Sequence, residues 1–338
     1  MGSDTAATGD MPVGLRWCSD EIDGIRRKRS GRGFCYLRPD WTRVTDEKVL
    51  GRIRVLAIPP AWTQVWICPH INGHIQATGR DARGRKQYRY HPDWTQAQSE
   101  NKFARMPAFA AALPKLEAAI EKGLGRRKFD QEKVVATAMR LMELSLIRVG
   151  NTRYSRENSS YGLTTLRKRH VEVSGTELRL KFRGKSGIVH DLNVQDRRLA
   201  MGVRRLNELP GQTLFQYVDD EGQFRAVTSD DINAFIRDNM GEDFSAKDFR
   251  TWAATVCVAR ALCDTEPPTS DTDAKRKANV CIREAASLLG NTLAVCRSAY
   301  VHPRVIDLFE RGAIVDSLPR TSAKSFERAL AKALAVGE

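Results

Sequence analysis

The rhythm of hydrophobic and polar positions changes near residue 98. Before that point, from about residue 13 to 95, aromatic and β-branched residues come in short runs broken by Gly, Pro and Asn. Val65-Trp66-Ile67-Cys68 stops at Pro69, and His74-Ile75-Gln76-Ala77-Thr78 follows Asn72-Gly73. An Asn-Gly pair between two such runs is a hairpin signal, because both residues tolerate the positive φ of a tight turn. A small, mainly β domain is expected. Beyond it, residues 102–122 are Ala/Leu-rich and helical, interrupted by Pro114. Asp130 is placed to cap a helix in which Val134, Val135, Ala138, Leu141, Met142, Ser145 and Leu146 recur at helical spacing. Gly150 would end that helix and leave Arg148 in its last turn.

From 171 to 194 the period becomes two. Val171 and Val173 lead to a Ser174-Gly175 turn; Leu178, Leu180 and Phe182 alternate; Gly184-Lys185-Ser186-Gly187 then turns the chain into Ile188, His190, Leu192 and Val194. This reads as a small antiparallel sheet with Lys185 in a tight turn. Helices are expected again at about 229–240, 247–262, 276–289, 292–299, 303–311 and 322–335, with a polar, mobile stretch at 264–275. The fold class is therefore α+β. A disordered N-terminus (1–12) precedes a β-rich N-terminal domain (13–96) and a larger, mainly helical C-terminal domain (97–338) that carries the small sheet.

Charge narrows the choice of partner. The 338 residues hold 55 Lys+Arg against 41 Asp+Glu, a net charge of +14, which points to a polyanion, nucleic acid before membrane. No apolar run approaches membrane-spanning length, and residues 1–11 lack the apolar stretch of a secretion signal. The seven cysteines are scattered without a Cys-x-x-Cys pair, as in a reduced, cytosolic protein, and zinc is disfavoured.

The chemistry concentrates in the second domain. In-line displacement at a phosphodiester needs an oxygen nucleophile, stabilisation of the non-bridging oxygens and a proton for the leaving oxygen. No clustered carboxylates of a metal-nuclease kind stand in a suitable setting, so protein cations are the favoured source of stabilisation. Tyr300, in Gly290-Asn291-Thr292-Leu293-Ala294-Val295-Cys296-Arg297-Ser298-Ala299-Tyr300, is the candidate nucleophile. A phenol with a pKa of about 10 is only roughly 0.1% ionised at neutral pH, and neighbouring guanidiniums would favour the phenolate and hold the phosphate. Arg148, in Ile147-Arg148-Val149-Gly150-Asn151, is either such a guanidinium or a complement to a helix C-terminus. Lys185 is either a solvated turn residue or a ligand contact, its flanking glycines allowing close backbone approach. Arg250, in Lys247-Asp248-Phe249-Arg250-Thr251-Trp252, opposes the dipole preference of a helix N-terminus, with Phe249 and Trp252 to pack it in place. Asn291 serves as a helix cap or as an amide donor to a phosphate oxygen.

A second cationic stretch, Arg80-Asp81-Ala82-Arg83-Gly84-Arg85-Lys86-Gln87-Tyr88-Arg89, interleaves five cations with polar and aromatic residues. Its cations suit phosphates, and its Gln and Arg side chains suit base edges. Arg80, Arg83, Arg85, Lys86, Gln87, Tyr88 and Arg89, with Gln76 upstream and Arg167 and Lys168 downstream, form the candidate DNA-binding set.

Taken in order, these segments resemble the type IB DNA topoisomerases, of the small bacterial branch similar to the poxvirus enzymes. The resemblance runs from about residue 14 to 312. It also rests on Ile58-Pro59-Pro60-Ala61-Trp62, Asn72-Gly73-His74-Ile75-Gln76-Ala77-Thr78-Gly79-Arg80-Asp81 and Arg85-Lys86-Gln87-Tyr88-Arg89-Tyr90-His91. It implies the tyrosine recombinase/topoisomerase IB catalytic fold. It implies Tyr300 as the nucleophile of a 3′-phosphotyrosyl link, Lys185 as general acid, and Arg148 and Arg250 as the phosphate-binding arginines. The poxvirus enzymes have histidine where this chain has Asn291, which donates a hydrogen bond but does not titrate. It further implies duplex DNA as partner and a monomer that clamps it. No metal, ATP or other cofactor, no obligate protein partner and no membrane would be required. The expected location is cytoplasmic, with the nucleoid. Two other readings stand beside it: a tyrosine recombinase with the same chemistry, and a non-catalytic duplex DNA-binding protein on the same scaffold.

Overall fold

Alternating runs among the first hundred residues build one antiparallel sheet, as period two requires. In the computed structural model, residues 11–241, 244–319 and 322–335 are described, with the backbone alone for 153 and 154. The chain divides into two units, Met1–Phe103 and Ala104–Glu338. The disorder expected over 1–12 falls, but for its last two residues, outside the described part.

In the first unit, β1 (Ile25–Ser30) and β2 (Gly33–Leu37) form a hairpin, followed by helix α1 (Glu47–Val55). Strands β3 (Thr63–Ile67), β4 (Ile75–Arg80) and β5 (Lys86–Tyr90) complete a sheet of order β2-β1-β3-β4-β5, and α2 (Pro92–Ala104) ends the unit. Helix α1 is an element that the expected, mainly β domain did not specify. Asp46 caps it, accepting from the Lys48 N–H at 2.8 Å, and its Ile53 closes a core of Ile25, Val44, Val65, Ile67 and Ala77 on one sheet face. On the other face Trp66 packs with Cys18 and Cys68.

Strands β3 and β4 pair as the hydrophobic runs predict, Ile67 opposite Ala77 and Trp66 opposite Thr78. The Asn72-Gly73 step is not a two-residue turn, however; the connection runs from Cys68 to His74. The Gln76 amide shapes that loop, Nε2 donating to the carbonyls of His70, Ile71 and Gly73 at 3.2, 3.0 and 2.8 Å. Gly73 is required by close approach: a Cβ there would lie 2.5 Å from the Cys68 sulfur.

The second unit begins with α3 (Met106–Gly125), which contains Pro114 without ending at it, and α4 (Gln131–Ser145). Asp130 caps α4 through the Lys133 N–H, as expected. The helix stops earlier than Gly150, because Leu146 adopts a left-handed φ of 53°. Arg148 therefore lies beyond the last turn, in a segment whose Arg148 and Val149 carbonyls accept from the N–H groups of Leu163 and Thr164, both at 2.8 Å. After α5 (Thr152–Asn158) come β6 (Val171–Ser174), β7 (Glu177–Arg183) and β8 (Val189–Gln195), in that order in an antiparallel sheet. Leu178, Leu180 and Phe182 point into the core, as the alternation predicts.

Helix α6 (Arg197–Glu208) and the ribbon of β9 (Gln216–Val218) and β10 (Phe224–Ala226) follow. The remaining helices are α7 (Ser229–Met240), α8 (Ala246–Cys263), α9 (Asp271–Leu289), α10 (Leu293–Ala299), α11 (Pro303–Glu310), α12 (Ile314–Ser317) and α13 (Ala323–Ala335). The stretch expected to be mobile up to residue 275 is helical from Asp271, because Ser270 caps α9 and Asp273 accepts from Thr269 while pairing with Arg276 and Lys277. The architecture is α+β, a sheet-based first unit and a mainly helical second unit with one small three-stranded sheet. No helix of the described residues is long and apolar enough to cross a membrane.

Candidate active site

Helix α8 supplies the anchor of the site. Arg250, near its start, is 5% exposed. Its guanidinium donates to the carbonyl of Leu146, where α4 ends, and to that of Leu289, the last residue of α9, at 2.6 Å. Both carbonyls belong to helix C-termini, where partial negative charge accumulates and a cation is favoured. Phe249 turns away to stack edge-on against Phe109 at 5.1 Å, so carbonyl oxygens, more than flanking aromatics, hold the guanidinium. Burial pushes the Arg250 pKa down and the like charge of Arg148 adds to this, while the Tyr300 phenol opposes it; a guanidinium so placed stays charged at neutral pH.

Arg148 and Asn291 are brought together although 143 residues separate them: Arg148 Nη2 donates to Asn291 Oδ1 at 2.6 Å. The left-handed Gly290 (φ 59°) ends α9 and turns the chain, and the Asn291 N–H caps the helix on the Ala286 carbonyl at 2.9 Å. Asn291 thus fills its cap role through the backbone, leaving the side chain for the site. Tyr300 follows the last turn of α10, and the Arg250 guanidinium lies 5.4 Å from the centroid of its ring. The Tyr300 carbonyl accepts from Thr255 Oγ1 at 3.2 Å, and Thr255 Oγ1 in turn accepts from the His302 N–H at 3.1 Å. Helix α8 therefore fixes both the arginine and the backbone of the tyrosine.

Two polar atoms in this group are buried without a partner, Arg250 Nε and Asn291 Nδ2. A buried unsatisfied donor costs about 1–3 kcal/mol, and native proteins keep few of them. Arg250 Nε belongs to the guanidinium over the Tyr300 ring and Asn291 Nδ2 to the amide bonded to Arg148, and both are donors suited to an anion with several acceptor oxygens.

Lys185 stands apart. It is exposed in the β7–β8 turn, where Gly184 N donates to the Ile188 carbonyl at 2.7 Å and Gly187 takes φ 79°. Among the described residues no hydrogen bond joins it to Arg148, Arg250, Asn291 or Tyr300. The turn meets the site through His190, which the sequence presents only as a strand position; its ring packs on both Gly184 and Gly290.

The candidate DNA-binding residues divide by strand face. Within β5 alternation puts Lys86, Tyr88 and Tyr90 on one face and Gln87 and Arg89 on the other. Tyr88 and Tyr90 stack at 5.8 Å; Tyr90 is outside the expected set, and its spacing of two from Tyr88 is the signal that finds it. Lys86 pairs with Asp20 at 2.9 Å. Arg89 donates to the Ala57 carbonyl and lies over Trp62. Asp81 organises the β4–β5 turn, accepting from Arg83, Arg85 and Gln87. The hydrogen bonds from Arg85 hold its carboxyl below the usual range. Arg80 donates to Gln64 and to the Gly84 carbonyl. Gln76 departs from its expected role: it is buried, its Nε2 committed to loop carbonyls and its Oε1 to Arg52 at 2.8 Å. In the second unit Arg167 bonds Gln212 and Lys168 bonds the Leu209 carbonyl, which ties both to the 209–213 loop.

Residues 91–311 match the family described as eukaryotic DNA topoisomerase I, catalytic core, and residues 33–81 that described as bacterial DNA topoisomerase IB, N-terminal domain. The match over residues 91–311 spans Arg148, Lys185, Arg250, Asn291 and Tyr300. DNA topoisomerase 1B of Acanthamoeba polyphaga mimivirus is 35% identical over 297 residues, covering 86% of this chain and 88% of that protein. DNA topoisomerase 1B of vaccinia virus (strain Western Reserve) is 23% identical over 255 residues, 73% of this chain and 76% of that one. DNA topoisomerase 1 of Mycosarcoma maydis is 22% identical over 245 residues, 67% of this chain and 22% of its own length.

Proposed function

The chain belongs to the type IB DNA topoisomerase family, and on that footing we propose that it relaxes supercoiled duplex DNA through chemistry at Tyr300. The Tyr300 oxygen attacks the scissile phosphorus, the P–O5′ bond breaks, and a 3′-phosphotyrosyl bond forms. Arg148, Arg250 and Asn291 donate to the non-bridging oxygens, whose charge rises in the pentacoordinate state. Lys185 gives its proton to the departing 5′-oxygen. The tyrosyl ester conserves the energy of the broken bond, so the freed strand swivels and its 5′-hydroxyl attacks back, displacing the phenol. Because protein donors supply the charge stabilisation, neither ATP nor a metal ion is required. Family membership sets aside the recombinase reading.

The observation that carries this assignment is the pair of buried, unpartnered donors: Arg250 Nε, whose guanidinium lies over the Tyr300 ring, and Asn291 Nδ2, whose amide is bonded to Arg148. The β4–β5 hairpin of the N-terminal unit, with Arg80, Arg83, Arg85, Lys86 and the Tyr88–Tyr90 stack, contributes further contacts to duplex DNA. The enzyme acts as a monomer that clamps DNA, in the cytoplasm with the nucleoid. Pure, folded protein should relax supercoiled plasmid in EDTA without ATP; no relaxation under those conditions sinks the assignment.

A further inference from the structure

The strand register of the small sheet places His190 opposite Phe182, and the two rings stack at 4.8 Å with 16° between their planes. Phe182 is buried in the core, so the imidazole rests on a fixed floor. Its free edge meets two glycines. A Cβ on Gly184 would lie 2.6 Å from His190 Nε2 and 2.7 Å from Cδ2, and a Cβ on Gly290 would lie 3.2 Å from Cε1. Each glycine immediately precedes a residue of the site, Gly184 before Lys185 and Gly290 before Asn291. One ring edge, Cδ2–Nε2–Cε1, therefore spans the two turns.

Gly184 has φ −94°, a conformation open to any residue. Its lack of a side chain is explained by the ring that fills the space. Gly290 needs its left-handed backbone as well, at φ 59°. Neither nitrogen of His190 has a protein hydrogen-bond partner among the described residues, so packing alone holds the ring in place. Burial lowers its pKa, and the charges of Arg148 and Arg250 push the same way, which keeps the ring neutral at neutral pH.

We propose that His190 is a positioning residue whose ring sets the spacing between the turn that carries Lys185 and the turn that carries Asn291. It couples the proton donor to the phosphate-binding donors, two groups that no direct bond connects. This rests on the proposed function, and the test separates the two. Single-turnover cleavage is measured on duplex oligonucleotides with an ordinary phosphodiester and with a 5′-bridging sulfur, whose thiolate leaves without a proton. If the parent enzyme forms no covalent adduct, the proposed function fails first. Given a cleaving parent, His190→Ala should slow cleavage of the oxygen substrate by about 10- to 100-fold, since misplacement near 1 Å forfeits much of a general acid's contribution. Duplex affinity and melting temperature should stay near those of the parent, and the deficit should shrink several-fold on the sulfur substrate. Gly184→Ala should also slow the oxygen reaction, because its methyl strikes the ring. The double variant should cleave faster than the product of the two single losses, the methyl taking space the ring has left. Oxygen cleavage by His190→Ala within twofold of the parent would overturn the proposal. So would equal losses on oxygen and sulfur, or losses in the double variant that simply multiply.

Discussion

Asn291→Asp changes one atom, nitrogen to oxygen, at the place where the site holds an unpartnered donor. Asn291 Oδ1 accepts from Arg148 Nη2 at 2.6 Å, and an aspartate keeps and strengthens that bond, so the local fold should survive. What disappears is the buried Nδ2 donor. Loss of one preorganised donor to a developing oxyanion costs about 2.7–4 kcal/mol, or roughly 10²- to 10³-fold in rate. The carboxylate adds repulsion: two unit charges about 4 Å apart at an effective dielectric of about 20 interact by roughly 4 kcal/mol, a figure that Arg148 reduces by sharing the charge. Asn291→Ala loses the donor without adding charge. The expected order of cleavage rates is therefore the parent, then Asn291→Ala, then Asn291→Asp, with the last down by at least about 10³-fold. Single-turnover cleavage of a suicide duplex, resolved on a denaturing gel, measures the rates, and melting temperature checks the fold. Asn291→Asp cleaving as fast as Asn291→Ala would refute an anion-binding role for this amide.

Lys185→Ala should lose about 10²- to 10⁴-fold in cleavage of an ordinary phosphodiester and recover most of it with a 5′-bridging sulfur; failure to recover would leave Lys185 as a charge only. Burial, with the charges of Arg169 and Arg167, pushes His170 down to about 4, and its Nδ1 accepts from the Arg167 N–H at 3.1 Å. The unfolded chain takes up this proton near pH 6.5 and the folded chain does not. The stability is therefore complete above that pH and is lost as pH falls towards 4, by about 1–2 kcal/mol at pH 5. His74 and His190, also depressed chiefly by burial, add to the slope. Denaturant unfolding of His170→Gln between pH 7 and 5 should show a shallower slope than the parent, and an unchanged slope would count against the assignment. Gln76→Ala should destabilise the N-terminal unit by about 2–4 kcal/mol, since it strands several loop carbonyls. DNA affinity of the folded variant should not change, and weakened binding with unaltered stability would return Gln76 to the DNA surface.

Where local pattern is enough, sequence and structure agree. Alternation from Val171 to Val194 specified three strands and both turns, because period two admits one assignment of faces. Helix α7 lies where the pattern put it, at 229–240, and in the structure Thr228 caps it and the left-handed backbone of Gly241 ends it. Helix α6 carries Leu199, Val203 and Leu206 at helical spacing behind an Asp196 cap, a signal obscured by four arginines in twelve residues. The end of α4 was not legible, since nothing marks Leu146 for a positive φ; the bonds of Arg148 and Val149 to Leu163 and Thr164 impose the break. The same limit applies to the site. The order of motifs singled out Arg148, Arg250, Asn291 and Tyr300 as candidates, but Arg250 is held by carbonyls 104 and 39 residues away, pairings that no local window contains. His190 was invisible for that reason, its meaning lying in two glycines distant from each other in sequence.

The most direct measurement is of the covalent bond itself. Enzyme incubated in EDTA with a suicide duplex, then digested with trypsin, releases the segment 298–304 bounded by Arg297 and Arg304. Mass spectrometry should find that peptide carrying a 3′-linked nucleotide on Tyr300. Tyr300→Phe should bind the same duplex and yield no adduct. An adduct on any other residue, or one that survives in Tyr300→Phe, would contradict the assignment of the nucleophile.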